Sequence, residues 1–262
     1  MTPDDTRALA RRALARRALG LLDLTDLSDT CSAEAVRHLC QRAVTPHGAV
    51  AAICIWPRFV SEAKARLAAS GVRIATVINF PKGGEDIDRA VTDAREALKD
   101  GADEIDLVMP YHAFLAGNEA VVKDMIAAVR ETLPAGALLK VILETGALQQ
   151  ERLIARAAAL ALAAGAHFIK TSTGKIAVSA TPAAAQTMLE AIKAAGGHAG
   201  FKAAGGIRSL EDAALYIGLA DTVLGAGWAD ARHFRLGASG LLDALLAALN
   251  GGAAAASAPG GY

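Results

Sequence analysis

Only three cysteines (Cys31, Cys40 and Cys54) occur among the 262 residues, and no HExxH or paired CxxC accompanies them. An odd count at no zinc-site spacing argues against a disulfide framework or a structural zinc, and points to a reduced, cytoplasmic setting. The six histidines are scattered, so no metal is assigned. Charge of one sign is equally lacking. The 27 Lys and Arg balance 27 Asp and Glu, which removes any global draw toward nucleic acid or an anionic membrane. The longest apolar run, around 157–166, is about half of what a bilayer needs, so no membrane partner is expected. Aromatics make up only 4% of the chain, and Trp56, Phe80, Tyr111 and Phe114 fall near loop ends, where they suit packing rather than base stacking. The opening MTPDDTRALARRALARRALG has no continuous apolar stretch of the kind a signal peptide carries, and it contains Asp4 and Asp5. An N-terminal surface helix is the expectation there.

What is present is an alternation. Short aliphatic runs at 19–25, 49–56, 73–79, 102–109, 138–145, 168–173, 200–207 and 222–227 predict eight strands. Ala/Leu/charged stretches near 32–44, 57–70, 85–100, 118–133, 148–164, 181–195, 209–220 and 239–249 predict the helices between them. Caps mark several starts: Ser32 with Glu34, Thr181 before Pro182, and Ser209 followed by Glu211 and Asp212. Alternating βα order implies a parallel sheet, and eight units in about 250 residues imply a single α/β domain over 1–250, a closed (β/α)8 TIM barrel with an extra N-terminal helix. An open doubly wound sheet is the alternative, weakened by the lack of a GxGxxG after the first strand. Residues 251–262, GGAAAASAPGGY, are low in complexity and expected to form a flexible C-terminal tail.

Period-two alternation then sorts the strand side chains. In ADEIDLVM, Ile105, Leu107 and Met109 share one face and Glu104, Asp106 and Val108 the other. In LLKVILET, Leu139, Val141 and Leu143 oppose Lys140, Ile142 and Glu144. The aliphatic faces suit helix packing, so the charged faces point into the barrel. Asp23, between Leu22 and Leu24, has the same phase, as do Lys170 with Ser172, and Lys202. Cys54 is expected to face inward as a small core residue. A buried ion network satisfied within itself is the structural alternative, but ion pairs stabilise weakly after desolvation, and sites of this fold lie at the strand C-termini.

Two lysines on neighbouring strands suggest a specific chemistry. At ~4 Å and an effective dielectric near 20, two ammonium groups repel by roughly 4 kcal/mol, enough to lower one pKa by up to about 3 units. Lys170 would then present a neutral amine able to form a Schiff base with an aldehyde or ketone. The protonated imine is an electron sink for carbon–carbon cleavage. Asp106 is placed to move the proton through a water, with Lys140 orienting that water or balancing its charge. Glycine-bearing loops follow the last strands: Gly174-Lys175, Gly205-Gly206-Ile207-Arg208, Gly225 and Gly227, and Gly237-Ala238-Ser239. Together they suit a phosphate held by backbone N–H groups and a helix N-terminus.

The runs LLDLT, AAICIWPRF, IATVINFPKG, GADEIDLVMPY, LLKVILETG, FIKTSTGK, GFKAAGGIR and WADARHFRLGAS, in continuous order from about Leu19 to Leu249, resemble the deoxyribose-phosphate aldolases, a class I aldolase family. FIKTSTGK together with GFKAAGG is the most specific pair. The resemblance implies reversible cleavage of 2-deoxy-D-ribose 5-phosphate to acetaldehyde and D-glyceraldehyde 3-phosphate, in deoxyribonucleoside catabolism, without cofactor or metal. It implies Lys170 as the Schiff-base lysine, Lys202 as the lysine that depresses its pKa, Asp106 as the relay acid and Lys140 as part of the relay. Asp23 and Thr173 would contact substrate hydroxyls or the relay water. Gly174, Lys175, Gly205, Gly206, Arg208, Gly237 and Ser239 would line the phosphate pocket, and Tyr262 would assist proton transfer from the tail. Partners would be phosphosugar and aldehyde substrates, with a homodimer suggested by the family and no apolar patch in the sequence to mark its contact. The chain departs from the family at Ala203, often proline, and at Gly240, often a second serine, which implies one hydroxyl contact fewer to the phosphate. A phosphosugar sensor without catalysis, or a transaldolase-like enzyme, would not require Asp106, Lys170 and the Lys202 motif together.

Overall fold

The computed structural model describes residues 2–251, so the expected tail from 252 onward, with Tyr262, lies outside the described residues. Helix α1 (Pro3–Leu19) opens at a capping box in which the Thr2 hydroxyl accepts from the Asp5 N–H and the Asp5 carboxylate from the Thr2 N–H. Eight strands follow in strictly parallel order: β1 (Leu22–Asp26), β2 (Ala52–Ile55), β3 (Arg73–Ile78), β4 (Glu104–Val108), β5 (Leu138–Ile142), β6 (Phe168–Lys170), β7 (Gly200–Ala204) and β8 (Phe234–Ala238). Each pairs with its sequence neighbour and β8 pairs with β1, closing the barrel. A two-residue antiparallel ribbon, Val44–Thr45 with Gly48–Ala49, precedes β2. The chain is therefore a TIM barrel with an N-terminal helix.

The barrel is wrapped by α2 (Ala33–Arg42), α3 (Val60–Leu67), α4 (Ile87–Lys99), α6 (Glu119–Thr132), α8 (Glu151–Ala163), α9 (Pro182–Ala194), α10 (Leu210–Leu224) and α11 (Leu241–Leu249). Two short helices, α5 (Tyr111–Leu115) and α7 (Thr145–Leu148), sit at the strand C-terminal end. The stretch expected as one helix over 148–164 is broken at Gln149, whose φ of 57° lies in the left-handed region. Outward-facing Leu22, Leu24, Ile105, Leu107, Leu139, Val141, Ile169, Phe201, Ala203, Phe234 and Leu236 join the buried helix faces in one core.

One strand was misplaced by the sequence pattern. TVLGAG (222–227) is not the eighth strand: Leu210, Ala213, Tyr216, Ile217, Ala220 and Val223 are all buried on one helical face, so α10 continues through Leu224 and ends at Gly225 with φ 104°. The eighth strand is FRLGA, hidden because its second residue is an arginine. Gly225 and Gly227 consequently lie at the opposite end of the barrel from the other glycine loops, and take no part in a phosphate site there.

Candidate active site

The inward faces carry the charges that alternation assigned to them. Asp23, Glu104, Asp106, Lys140 and Lys202 are fully buried, and Lys170 is 3% exposed. Register brings Lys170 level with Lys202 across β6 and β7, and Asp106 level with Lys140 across β4 and β5. Asp106 is the hub. Its Oδ2 accepts from Lys170 Nζ at 2.9 Å and from Lys202 Nζ at 2.8 Å, and its Oδ1 accepts from Lys140 Nζ at 2.7 Å. Lys202 Nζ also lies 2.6 Å from Asp23 Oδ2, and Lys140 Nζ lies 2.5 Å from Glu104 Oε2. Gly237 makes room for this arrangement, since a Cβ there would meet Lys202 Cε at 2.9 Å.

Opposing effects decide each protonation state. Burial pushes the Asp106 carboxyl up, but the ammonium groups of Lys140, Lys170 and Lys202 outweigh it and hold the group well below the usual carboxylate range. Burial lowers Lys202, yet Asp106 and Asp23 raise it well above the ordinary lysine value. Lys140 is raised in the same way, by Asp106 and Glu104 against burial. Lys170 goes the other way. Burial is the largest cause and Lys202 adds to it, and the single carboxylate Asp106 does not offset them. Repulsion from Lys202 is therefore the second lowering cause at Lys170, behind burial, where the sequence argument had rested on repulsion alone.

Other assigned residues are placed differently. Asp23 is walled in beneath Lys202, with Arg235 donating to its Oδ1 at 2.7 Å, so it meets the ammonium groups and not the solvent-facing end. The Thr173 hydroxyl donates to Glu144 Oε2 at 2.5 Å, and burial raises the Glu144 pKa against that bond. Glu144, at the head of α7 with φ 55°, thus anchors the loop after β6. Cys54 faces inward, 4.0 Å from Asp106 Oδ2, and burial pushes its thiol up.

The glycine loops after β6, β7 and β8 gather at the same end, on three adjacent strands. Gly174 and Gly205 touch: a Cβ on Gly205, which has φ 86°, would lie 3.5 Å from Gly174 Cα and 2.5 Å from Ser179 Cβ. Gly206 and Arg208 are exposed beside the start of α10, and the Arg208 N–H donates to Asp212. Ser239 is exposed one residue before Gly240, which caps α11. Lys175 reaches Asp29 at 3.3 Å on the loop after β1.

Three charged residues were missed or under-used. Arg235, 2% exposed, forks onto Glu104 at 2.8 and 3.1 Å, and Glu104 also meets Arg73 Nε at 2.7 Å at the lower rim. The signal for Arg235 was available: in FRLGA, Phe234, Leu236 and Ala238 alternate with Arg235 and Gly237, the same pattern that exposed Asp106 and Lys140.

Comparison with known proteins places the whole barrel in one family. Residues 17–243 match the model of the DeoC/LacD family aldolases. The chain is 53% identical over 243 residues to a deoxyribose-phosphate aldolase of Agrobacterium fabrum, covering 92% of this chain and 94% of that protein. Among solved structures, a candidate deoxyribose-phosphate aldolase from Toxoplasma gondii superposes with a TM-score of 0.84 at 25% identity, covering 94% of this chain and 97% of that one. A tetrameric deoxyribose phosphate aldolase from Aeropyrum pernix superposes with a TM-score of 0.73 at 26% identity, covering 94% and 98%.

Proposed function

The chain belongs to the DeoC/LacD family of aldolases, and from that membership we propose that it is the carbon–carbon lyase that cleaves 2-deoxy-D-ribose 5-phosphate reversibly to acetaldehyde and D-glyceraldehyde 3-phosphate. The observation that carries the chemistry is Lys170, the buried amine at the C-terminal end of its strand whose proton affinity is lowered while those of Lys140 and Lys202 are raised. Its neutral Nζ attacks the aldehyde carbon of the open-chain sugar, and loss of water gives a protonated imine. The C3 hydroxyl then gives up its proton, the C2–C3 bond breaks, and its electron pair flows into the iminium to leave an enamine and glyceraldehyde 3-phosphate. Protonation at C2 and hydrolysis release acetaldehyde and restore the amine.

Asp106 orders the path along which protons pass. Held far below the ordinary carboxylate range, it stores no proton itself, and instead links a bound water to the ammonium groups of Lys140 and Lys202. Thr173, fixed by Glu144, presents the loop on which Gly174 and Lys175 sit, and these with Gly205, Gly206, Arg208, Gly237 and Ser239 take the substrate phosphate. Asp23 acts from below by holding Lys202. The role given to Tyr262 in proton transfer falls on the tail and belongs to the same reading. Free, buried Cys31, Cys40 and Cys54 fit a reducing cytoplasmic compartment, and no helix among the described residues is long and apolar enough to cross a membrane. A homodimer is the assembly we assign, to be checked by light scattering.

Incubation with acetaldehyde and borohydride, followed by intact-mass spectrometry and peptide mapping, tests the reading. One reduced-imine adduct on Lys170, lost in Lys170→Leu, is the expected result. No adduct, or scattered labelling of surface lysines, would favour a phosphosugar-binding barrel without catalysis.

A further inference from the structure

The charged interior extends well below the lysine pair. Arg235 lies near the N-terminal mouth of the barrel, where it lines a cavity of about 370 Å³ with Arg73, Val50 and Leu138. Its guanidinium sits 5.7 Å over the Phe168 ring and its Nε donates to the Ala231 carbonyl at 2.8 Å. From there a continuous chain of charged contacts rises through the barrel. Arg235 binds Glu104 and Asp23, Asp23 binds Lys202, Glu104 binds Lys140, and both lysines bind Asp106, which receives Lys170.

Buried charge has no counter-ion from water, so an enclosed cluster favours the protonation state that sums to zero. The carboxylates are three: Asp23, Glu104 and Asp106. Lys140, Lys202 and Arg235 already supply three cations, and arginine does not give up its proton in a protein. Lys170 is the amine left over. We propose that Arg235 and Glu104 are positioning residues that set the charge state of Lys170 from the floor of the barrel, Arg235 being the third fixed cation that allows Lys170 to stand without a proton.

The groups facing Lys170 are Asp106 on β4, Lys202 on β7, Lys140 on β5, Asp23 on β1, the Cys54 thiol on β2 and Glu144 before α7. Arg73 also meets Glu104, through an Nε that is itself buried, and it is unchanged in every variant below. Glu144 touches none of the cations and is the same in every variant below, so it contributes a constant background. This inference rests on Lys170 being the imine-forming lysine, and the test separates the two.

The rate at which acetaldehyde and cyanoborohydride alkylate Lys170, located by peptide mapping, would be followed across pH in five proteins: the parent, Arg235→Met, Arg235→Lys, Glu104→Gln, and Arg235→Met with Glu104→Gln. Removing the arginine leaves the cluster one cation short, so Lys170 keeps its proton. The acid limb of the alkylation profile then moves toward alkaline pH by about one unit or more, a tenfold slower reaction at pH below both limbs. Arg235→Lys keeps the charge and holds the limb in place, whatever it costs in turnover. Glu104→Gln removes an anion and moves the limb toward acid. The double variant removes one charge of each sign and returns the limb to the parental position, whereas a merely structural role would make it the worst of the set. An unmoved limb in Arg235→Met, or a double variant displaced as far as Arg235→Met, overturns the proposal. Should Arg235→Met fail to fold, Glu104→Gln decides: no displacement, or an alkaline one, overturns it. If the parent itself gives no Lys170 adduct, the assignment of the nucleophile fails first and takes this inference with it.

Discussion

Lys202→Met is the sharpest perturbation of the lysine pair, because methionine keeps most of the stem and deletes only the charge. Lys170 and Lys202 donate to the same oxygen, Asp106 Oδ2, at 2.9 and 2.8 Å. Two nitrogens sharing one acceptor at such distances lie roughly 4–5 Å apart. At an effective dielectric of about 20, their repulsion amounts to roughly 3–4 kcal/mol, or about 2–3 pH units at Lys170. The loss of Lys202 also leaves Asp106 with one cation fewer, so Lys170 is held in its charged form more firmly still. Burial of Lys170 persists in the variant, and its pKa should therefore stop short of the ordinary lysine value. In kcat/KM for cleavage, followed by enzymatic reduction of the released aldehyde, the acid limb should move about 2–3 units toward alkaline pH. At pH 7 the rate should fall by roughly 100- to 1000-fold, and most of it should return as the pH is raised toward 10. Circular dichroism would verify the fold. A uniform loss at all pH values, with the limb where it began, would refute the electrostatic account of Lys170.

Glycine positions give independent tests. Gly237→Ala places a Cβ 2.9 Å from Lys202 Cε and 3.1 Å from the Ala204 Cβ, so kcat should drop roughly 10- to 100-fold while a thermal melt changes little. Gly200→Ala would drive a Cβ to 2.3 Å from the Phe168 ring, the platform under Arg235, and chemical denaturation should show a loss of about 1–3 kcal/mol. Gly205→Ala combines a φ of 86° with a clash at Ser179; KM for the phosphorylated sugar should rise, while that for 2-deoxyribose stays unchanged. Stability should fall on acidification. Asp23, Glu104 and Asp106 all titrate below their unfolded values, so the unfolded chain takes up protons first as pH drops below about 4, and the stabilisation is lost as pH falls through the folded values. Urea midpoints that stay constant between pH 5 and pH 2 would contradict this.

Most of the site was legible because a strand has a period of two. Asp23, Glu104, Asp106, Lys140, Lys170 and Lys202 each interrupt an aliphatic alternation, and a charge that does so on a buried strand faces the barrel axis. The same rule applied to FRLGA would have found Arg235, but Val223 and Leu224 imitated a strand, and their true partners in α10 are visible only at a spacing of three and four residues. Helix breaks at Gln149 and the extra turn Tyr111–Leu115 escaped notice because local backbone conformation, not hydrophobic pattern, sets them.

By itself the sequence determined the alternation that closes into a barrel, the inward lysines and the glycine turns after β6 and β7, since these follow from local periodicity and from glycine's freedom near the strand ends. Tertiary structure alone supplied the reason Lys170 differs from the other buried cations: Lys140, Lys202 and Arg235 each meet two carboxylates or more, and Lys170 meets one. That outcome depends on a count of charges enclosed together, and the members of the count are far apart in the chain: Arg235 meets Glu104 across 131 residues and Asp23 across 212. Spacing cannot reveal such a sum, because only closure of β8 onto β1 puts those groups in the same dry interior.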